Sequence, residues 1–329
     1  MFKISRRFIV IALAIFLWVV ACSPRSTSPS LSSKPLKVIN VNWTGFAGGY
    51  VALEKGFFAE EGIKVEETFI SDISTAITTF LSGQGDIFWS ASADAIQILN
   101  QDPLVRAFFL VDYSNGGDGV LGRNINSPKD VKGKTIALED ILFSRIILSA
   151  YLQQAGLTEE DVVLQNMSLA DAAAAFTAKR VDVAISALPW LLTAAQQSDG
   201  KIIFSTKNTN LIADVLVTRQ EVLNTRKSQL QAYLRAVDRG VKLINSRDPE
   251  ALRIAAEKVG VNSEQIKEQL DLIKLFDIEE NKTVGFNPDN PNNLMKNLEF
   301  TAQVAYDLEI IPKPLDVSTL YDDSVVNSL

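Results

Sequence analysis

The chain has 329 residues, of which 47% are hydrophobic, and its 39 acidic residues outnumber its 32 basic ones. This acidic balance argues against a role in binding nucleic acid. The sequence contains no histidine and one cysteine, which excludes histidine bases, histidine metal ligands and disulfides within the chain. Most hydrolase and metal mechanisms are thereby excluded, and we expect no catalytic residues, no metal site and no cofactor.

The first 21 residues have the pattern of a secretory signal peptide. Lys3, Arg6 and Arg7 precede an uninterrupted apolar run over residues 8–20, which is short for a bilayer span. The run ends in Val-Val-Ala-Cys, which resembles the lipobox of bacterial lipoproteins. We therefore predict that Cys22 is acylated, as by palmitate, and becomes the first mature residue. The alternative is a chance cysteine after a transmembrane helix.

Arg6-Arg7 could also belong to a twin-arginine signal, but Ile9 stands where that pattern usually has phenylalanine, so we expect ordinary export. Residues 22–35 are rich in serine and proline and predict a flexible tether to a folded part that starts near Leu36. Without residues 1–21 the chain has 29 basic and 39 acidic residues, a net charge of −10. We expect a membrane-anchored lipoprotein in the periplasm or at the cell surface.

A strand, a glycine-rich bend and a helix open the folded part. Residues 36–41 are a short β-branched run, residues 43–49 form the bend, and the helix continues over residues 50–57. In an open α/β sheet such a bend lies at the carboxyl end of a strand, where unpaired N–H groups and an open crevice collect ligands. Trp43 would then face a solute, although its ring could instead cap the core.

Two segments of the chain are similar to each other. Phe80, Asp86 and Ser90 recur as Phe176, Asp182 and Ser186 at one constant offset. Each copy is typical of a helix, a tight turn with an aspartate, and a buried strand that ends in serine. The likeness is either a coincidence between two generic βα units or the mark of two α/β lobes that are built alike.

Glycines around residues 112–119 and a returning strand over residues 212–219 predict two crossings between lobes. We place these crossings near residues 118–122 and 211–215. The first lobe then comprises residues 36–120 and 213–329, and the second comprises residues 121–212. From Glu221 onward the apolar periodicity is helical, and we expect these C-terminal helices to pack on the first lobe.

At these residues the chain resembles the periplasmic solute-binding components of ABC importers, specifically the family that binds nitrate, alkanesulfonates, taurine and pyrimidine precursors of thiamine. The resemblance covers residues 36 to about 244 and is carried by four segments, residues 52–65, 127–134, 174–182 and 214–219. It implies a type II periplasmic binding-protein fold, which is α/β with two doubly wound lobes, two crossover strands and a cleft that closes over the solute.

In that fold the carboxyl ends of the strands line the cleft. The positions that the resemblance carries over as ligand-binding residues are Trp43, Gly45, Tyr50, Ser90, Ser92, Asp94, Glu139, Ser144, Pro189, Trp190 and Asp214. Ser92 or Asp94 could be only an N-cap, and Trp190 could pack under its helix instead of stacking on a solute. For Asp118 a solvated or hinge-bonding role is favoured over ligand contact.

Glu139-Asp140 is the main departure from the family pattern, because members that bind anions tend to have small hydroxyl residues there. Asp94, Glu139 and Asp214, with Arg145 as the one base considered, favour an amine-bearing or heteroaromatic solute. The alternative is an alkanesulfonate, taurine or nitrate, held by helix N-termini near Gly48, Ser92 and Ser144.

We expect a monomeric binding protein that delivers a small-molecule solute to an ABC permease in the cytoplasmic membrane, and not an enzyme. A secreted enzyme on the same fold is one alternative. Ser198 and Lys201 match Ser-x-x-Lys, but Gly200 introduces a strand where that motif needs a helical turn. A sensor or scaffold lipoprotein with the same fold would differ only in its partner.

Overall fold

A computed structural model describes residues 34–329. The predicted signal peptide, the predicted acylation at Cys22 and the tether up to residue 33 lie outside the described residues. Within the described part, eleven strands form two sheets that are flanked by helices. No helix between residues 34 and 329 combines the length and the apolar character needed to cross a membrane.

The first sheet has six strands. They are β1 (Leu36–Asn40), β2 (Val65–Phe69), β3 (Ile87–Ala91), β4 (Val105–Ser114), β10 (Ala213–Arg219) and β11 (Ile273–Leu275). Their order is β11-β4-β10-β3-β1-β2. Strands β1, β2 and β3 are parallel, and β10 runs antiparallel to both β3 and β4. The carboxyl ends of β1 and β3 therefore meet the start of β10 at one edge of the sheet.

The second sheet has five strands. They are β5 (Asp118–Gly122), β6 (Thr135–Leu138), β7 (Val163–Asn166), β8 (Val183–Ala187) and β9 (Lys201–Ser205). Their order is β7-β6-β8-β5-β9, with β6 parallel to β7 and β8, and β5 antiparallel to β8 and β9. Strands β7, β6, β8, β5 and β9 thus repeat the arrangement of β2, β1, β3, β10 and β4.

Helices cover both sheets. They are α1 (Ala47–Glu54), α2 (Phe57–Glu60), α3 (Ile73–Leu81), α4 (Ser92–Gln101), α5 (Leu142–Gln153), α6 (Leu169–Thr177), α7 (Trp190–Gln197), α8 (Gln220–Asn245), α9 (Pro249–Val259), α10 (Ser263–Leu270), α11 (Ile278–Glu280) and α12 (Leu294–Asp307). Short 3₁₀ turns occupy Thr44–Phe46, Pro128–Val131, Glu159–Asp161, Val317–Thr319 and Val326–Ser328. A π-helical turn covers Asn281–Gly285.

The internal repeat is visible in matching side-chain contacts. In the first lobe the Arg219 guanidinium lies 4.3 Å from the ring centre of Phe80, donates to the Phe80 carbonyl and pairs with Asp102. In the second lobe Arg123 lies 4.5 Å from the ring centre of Phe176, donates to its carbonyl and pairs with Asp199. Each arginine stands at or just beyond the end of the antiparallel strand. The two lobes are therefore built alike, including an arginine that lies over the ring of a phenylalanine.

The crossings lie slightly away from their predicted places. Residues 118–122 form β5 and pair with β8, so the first crossing is the segment 115–117. The second crossing covers residues 206–212, because β10 begins at Ala213. The Thr206 hydroxyl joins the two crossings, at 2.7 Å from the Ser114 hydroxyl and 3.1 Å from the Gly116 amide nitrogen. Residues 118–120, which the sequence assigned to the first lobe, belong to the second sheet.

The C-terminal helices pack on the first lobe, as predicted. Helices α1 and α8 approach so closely that a Cβ on Gly240 would lie 2.0 Å from the Gly48 carbonyl oxygen. Helix α8 changes direction at Arg226, whose φ of −132° is not helical. The Arg226 side chain binds Asp86 and the carbonyl oxygens of Lys34 and Pro35. The start of β1 is thereby fixed to this helix.

Candidate functional site

A cavity lies between the two sheets, with about 540 Å³ of atom-free space that is partly open to solvent. Of this space, about 50 Å³ is available to the centres of water-sized molecules. Its polar lining residues are Asn42, Ser71, Asp94, Asp118, Glu139 and Asp214, and its aromatic ones are Trp43, Phe46, Phe143 and Trp190. No lysine or arginine is among the described residues that line it. The cavity wall is therefore both acidic and aromatic.

Five of the predicted ligand-binding residues line this cavity, namely Trp43, Asp94, Glu139, Trp190 and Asp214. The other six are outside the lining, namely Gly45, Tyr50, Ser90, Ser92, Ser144 and Pro189. Arg145, the one base considered, is also absent from the lining, because its guanidinium pairs with Asp140 and Glu159. The role of each residue in ligand binding stays a prediction.

Trp43 reaches the cavity from the loop that follows β1. The Tyr50 hydroxyl, buried in α1, lies 3.0 Å from the carbonyl oxygens of both Val41 and Trp43 and also accepts from the Trp43 amide. Burial raises the pKa of Tyr50, so its hydroxyl stays protonated and able to donate. Tyr50 therefore shapes the loop that carries Trp43, rather than facing the cavity.

The indole of Trp43 is fixed by a buried carboxylate. Its Nε1 donates to Oδ2 of Asp112 at 3.0 Å. Gly45 makes room for this contact, since a Cβ there would lie 2.1 Å from Asp112 Oδ2 and 2.3 Å from Trp43 Nε1. The ring orientation thus depends on a glycine two residues along the chain and on a carboxylate of β4.

One carboxyl oxygen of Asp94 accepts a hydrogen bond at the start of α4, and the other faces the cavity. Its Oδ2 accepts from the Ala91 backbone N–H at 3.1 Å, while its buried Oδ1 has no hydrogen-bond partner. Burial and the nearby charge of Glu139 raise the pKa of Asp94 to about 7, against the opposing hydrogen bond from Ala91. The alternative of a capping role therefore describes one oxygen of Asp94, whereas the other oxygen has no hydrogen-bond partner.

Asp112 and Asp214 are neighbours across two strands. They are directly opposite each other in the antiparallel pair of β4 and β10, so the charge of each carboxyl group acts on the other. Burial raises the pKa of Asp112 to about 7. Burial and the charges of Asp112 and Asp118 raise the pKa of Asp214 well above its usual range. Since two such carboxylates cannot both ionise cheaply, the pair retains a proton.

Asp118, at the start of β5, is 1% exposed and lines the cavity. Its Oδ2 has no hydrogen-bond partner, and its other contact is with the Ser114 hydroxyl. Burial and the charge of Asp112 raise its pKa to about 7. The solvated role is wrong, because β5 begins after a three-residue crossing and carries this side chain inward. The hinge-bonding alternative fits, since the backbone of Asp118 also bonds to the Thr206 hydroxyl of the second crossing.

Glu139 comes from the second lobe, directly after β6, and contacts the first lobe. Its Oε1 accepts from the Ser74 amide at 3.2 Å and from the Ser74 hydroxyl at 3.4 Å. Ser74 lies in the first turn of α3, where backbone N–H groups have no partner in the helix. Burial raises the pKa of Glu139, and hydrogen bonding to Ser74 opposes that rise.

The remaining predicted residues do not line the cavity. The hydroxyls of Ser90 and Ser144 are buried without a hydrogen-bond partner, and Ser92 is the buried first residue of α4. Pro189 precedes the first residue of α7, so its neighbour Trp190 reaches the cavity instead. Gly48, considered for anion binding, is covered by Val241 of α8.

Sequence reasoning missed Asp112, because it was assigned to a glycine-rich crossing segment. A signal was available, since an aspartate that follows five uncharged residues of a buried strand is rare without a partner. Phe46, Ser71 and Phe143 were not singled out as ligand contacts either. Nothing in their local sequence distinguishes them from ordinary core or loop residues.

The family model described as NMT1/THI5 like matches residues 43–251 of the chain. The chain belongs to this family. The match begins at Trp43 and includes every residue named above as lining the cavity except Val41 and Asn42 of the first loop. The family assignment and the candidate site thus rest on the same part of the NMT1/THI5-like protein.

Two curated proteins are similar to this family member. A formylaminopyrimidine-binding protein from Halalkalibacterium halodurans is 26% identical over 196 residues, which is 55% of this chain and 56% of that protein. The chain thus spans little more than half of that relative's length. The riboflavin-binding protein RibY from Chloroflexus aurantiacus is 23% identical over 277 residues, 76% of this chain and 78% of that protein.

Solved structures share the fold. The periplasmic aliphatic sulphonate binding protein SsuA from Escherichia coli has a TM-score of 0.73 and 17% identity, with 88% of this chain and 92% of that chain covered. The desulfurization enzyme DSZB has a TM-score of 0.64 and 15% identity, with 90% and 98% covered. The type II binding-protein fold is confirmed, and the same fold is used for binding and for catalysis.

Proposed function

We propose that the protein is the solute-binding component of an ABC importer. It would act outside the cytoplasmic membrane as a monomer, anchored through an acylated Cys22, and pass its solute to a permease. The family, the two-lobed fold and the signal-peptide and lipobox pattern support this proposal. It is not an enzyme in this proposal, because closure over a solute accounts for the cavity residues without any chemical step.

The chemistry of the cavity supports an amine-bearing or heteroaromatic solute. The observation that carries this proposal is a lining with four carboxyl groups and four aromatic rings but no lysine or arginine. Amino, amidine or ring N–H groups satisfy carboxylates through charge-assisted hydrogen bonds. Trp43 and Trp190 would hold a flat ring by stacking or cation–π contact. Both curated relatives are named for heteroaromatic ligands.

Alkanesulfonates, taurine and nitrate are the alternative, favoured by the structural likeness to a sulphonate-binding protein. Two of the three helix starts considered for an anion do not suit it here. The start of α1 is covered by α8, and that of α4 is occupied by the Asp94 carboxylate. A sulfonate would also lie against Asp118 and Asp214 without a basic partner. The acidic lining therefore weighs against the anionic alternative.

A thermal-shift screen of the mature protein tests both ligand classes. The panel contains benzamidine, formylaminopyrimidine and riboflavin on one side, and taurine, an alkanesulfonate and nitrate on the other. A ligand at 100 times its dissociation constant adds about 2.7 kcal/mol to stability. We expect stabilisation by the amidine or a heterocycle that Asp94→Asn weakens and the exposed control Asp289→Asn does not. Stabilisation by sulfonates alone would overturn the proposed solute class.

Mass spectrometry of the protein from native membranes tests the anchor. The expected product begins at Cys22 and carries acyl chains. An intact Met1 or a free thiol at Cys22 contradicts the lipoprotein proposal, while leaving the ligand class untouched.

A further inference from the structure

We propose that the solute binds as a cation and displaces a proton from the Asp112–Asp214 pair, so that binding and proton release are linked at this site. The proposal rests on the proposed function, since it concerns the same cavity. Beyond the solute class, it states how many protons leave for each solute bound and in which direction the affinity changes with pH.

The acids lie next to one another at one edge of the first sheet. Asp112 and Asp214 are opposite each other in the register of β4 and β10. Asp214 is also opposite Ala91 of β3, whose backbone N–H donates to Asp94. Neighbouring strands are about 4.8 Å apart. Three carboxyl groups therefore follow one another along the edge of the first sheet, and Asp118 approaches from the second.

These acids also have oxygen atoms that accept no hydrogen bond. Asp94 Oδ1, Asp112 Oδ1 and Asp118 Oδ2 are buried and have no hydrogen-bond partner. Asp94 and Asp118 are at most 2% exposed and line the cavity. A buried acceptor without a donor is destabilising, because it has lost its hydrogen bonds to water. A ligand that brings several N–H donors removes this cost, which a solute with acceptors alone cannot do.

Among residues 34–329, no lysine or arginine lines the cavity to compensate the charge of these acids. Asp94 and Asp214 face the cavity from the first sheet, Asp118 faces it from β5, and Glu139 faces it from the end of β6. The basic residues nearest the crossings point elsewhere. Lys207 is exposed on the second crossing, and the Lys274 ammonium lies 4.7 Å from the ring centre of Phe276. Protons therefore neutralise the empty site.

A metal ion is a poorer occupant of this site. Within residues 34–329 no group of three or more carboxylate, cysteine or histidine residues is arranged to hold a metal ion. The aromatic walls also suit an organic cation better than a hydrated ion. Hence the cation that replaces the proton is organic.

The exchange balances in charge and atoms. One cation enters, the proton shared between Asp112 and Asp214 leaves to solvent, and Asp214 becomes the carboxylate that meets the cation. Raised pKa values of Asp94, Asp112 and Asp118, each about 7, agree with protons that are held near neutral pH. Below pH 7 the affinity for a cation then rises with pH, by about tenfold per unit for one released proton.

Benzamidine and benzamide are a matched pair of probes, since the first is a cation throughout this pH range and the second is its neutral counterpart. Calorimetric titration at pH 5.5, 6.5, 7.5 and 8.5, in two buffers of different ionisation enthalpy, counts the protons exchanged. We expect about one proton released per benzamidine at pH 6.5, and the release should decline only as the pH rises above the pKa of the pair. Benzamide should bind without release.

A second measurement needs no ligand. In protein labelled with ¹³C at aspartate Cγ, carbon NMR should show a carboxyl signal that titrates near pH 7 and disappears in Asp112→Asn. The control variant Asp289→Asn should retain that signal. Circular dichroism checks that both variants fold.

The outcomes separate the two proposals. Benzamidine binding without proton release, or aspartates that all titrate near pH 4, would overturn the proton link and leave the amine-binding proposal standing. Failure of every cation and heterocycle in the thermal-shift panel would overturn both.

Discussion

Glu139 of the second lobe caps the first turn of α3 in the first lobe, with its Oε1 3.2 Å from the Ser74 amide nitrogen. Both ends of this contact move apart when the lobes separate. The carboxylate therefore stabilises the closed arrangement directly, in addition to any contact it makes with a solute.

Replacing Glu139 by alanine should favour the open protein and weaken solute binding. A hydrogen bond of this kind contributes about 1 kcal/mol, which is roughly a fivefold change in the closure equilibrium. Small-angle scattering of the ligand-free protein measures the open fraction, and calorimetry measures the affinity. Glu160→Ala, at an exposed site in the same lobe, is the control. Unchanged scattering in Glu139→Ala would show that the cap does not hold the lobes together.

The stability of the ligand-free protein should fall as the pH rises from about 4 to about 7. Asp94, Asp112 and Asp118 have pKa values raised from 3.8 to about 7, so in this window the folded protein holds protons that the unfolded chain has lost. Each such proton gives a slope of up to about 1.4 kcal/mol per pH unit. Urea unfolding at several pH values measures the slope.

The variant Asp118→Asn should flatten this pH dependence and stabilise the empty protein at pH 8, because one buried ionisation is removed. Asp289→Asn should leave the curve unchanged.

Surface acids affect the stability of the protein in a separate pH range. The Lys179 and Arg123 contacts lower the pKa of Asp199 to about 2, so its contribution is lost only at more acidic pH. A wild-type curve that rises steadily between pH 4 and 7 would contradict the buried-acid description.

The two tryptophans of the cavity should respond differently to substitution. Trp43→Phe removes the donor to Asp112 and leaves a buried carboxyl oxygen unpaired, which should cost about 1–3 kcal/mol of stability. Trp190→Phe keeps a ring in the half-buried position and should cost less. Both variants should reduce the fluorescence change on ligand binding, whereas Trp89→Phe, in the core against Tyr233, should retain it. Equal stabilities for Trp43→Phe and Trp190→Phe would argue against a structural role of the Asp112 contact.

Gly45→Ala should weaken binding by displacing the Trp43–Asp112 contact. The added Cβ would lie 2.1 Å from Asp112 Oδ2, and overpacking of this kind costs about 1–3 kcal/mol. A double-mutant cycle with Asp112→Ala, read by thermal unfolding, should be non-additive, because the second change removes the atom that the first one meets. Additive effects would place the strain of Gly45→Ala elsewhere.

Much of the fold could be predicted because the signals are local. Phe80 and Phe176 each lie at the end of the apolar face of a helix. The buried strand that follows each of them is a short, uninterrupted apolar run. Both predicted serines, Ser90 and Ser186, lie in strands of different sheets. The crossing was misplaced because glycines near residue 117 indicate a turn without stating where strand pairing resumes.

The site was harder to predict, because its key relationships join residues far apart in the chain. Asp112 and Asp214 are opposite each other only once the register of β4 and β10 is known. Likewise, no local pattern reveals that Tyr50 turns into the core while Asp94 keeps one oxygen for the cavity. The residue types were readable from the sequence, whereas the direction of each side chain depends on tertiary packing.

Helix α8 holds both described ends of the folded chain. Arg226 binds the carbonyl oxygens of Lys34 and Pro35, and Gln231 binds the Ser328 hydroxyl at 2.8 Å. A surface, a dye or a fusion partner attached beyond either end is thus carried by the first lobe alone. The second lobe can then move freely relative to the attached first lobe. A fluorophore on the second lobe would therefore report closure of the immobilised protein without interference from the attachment.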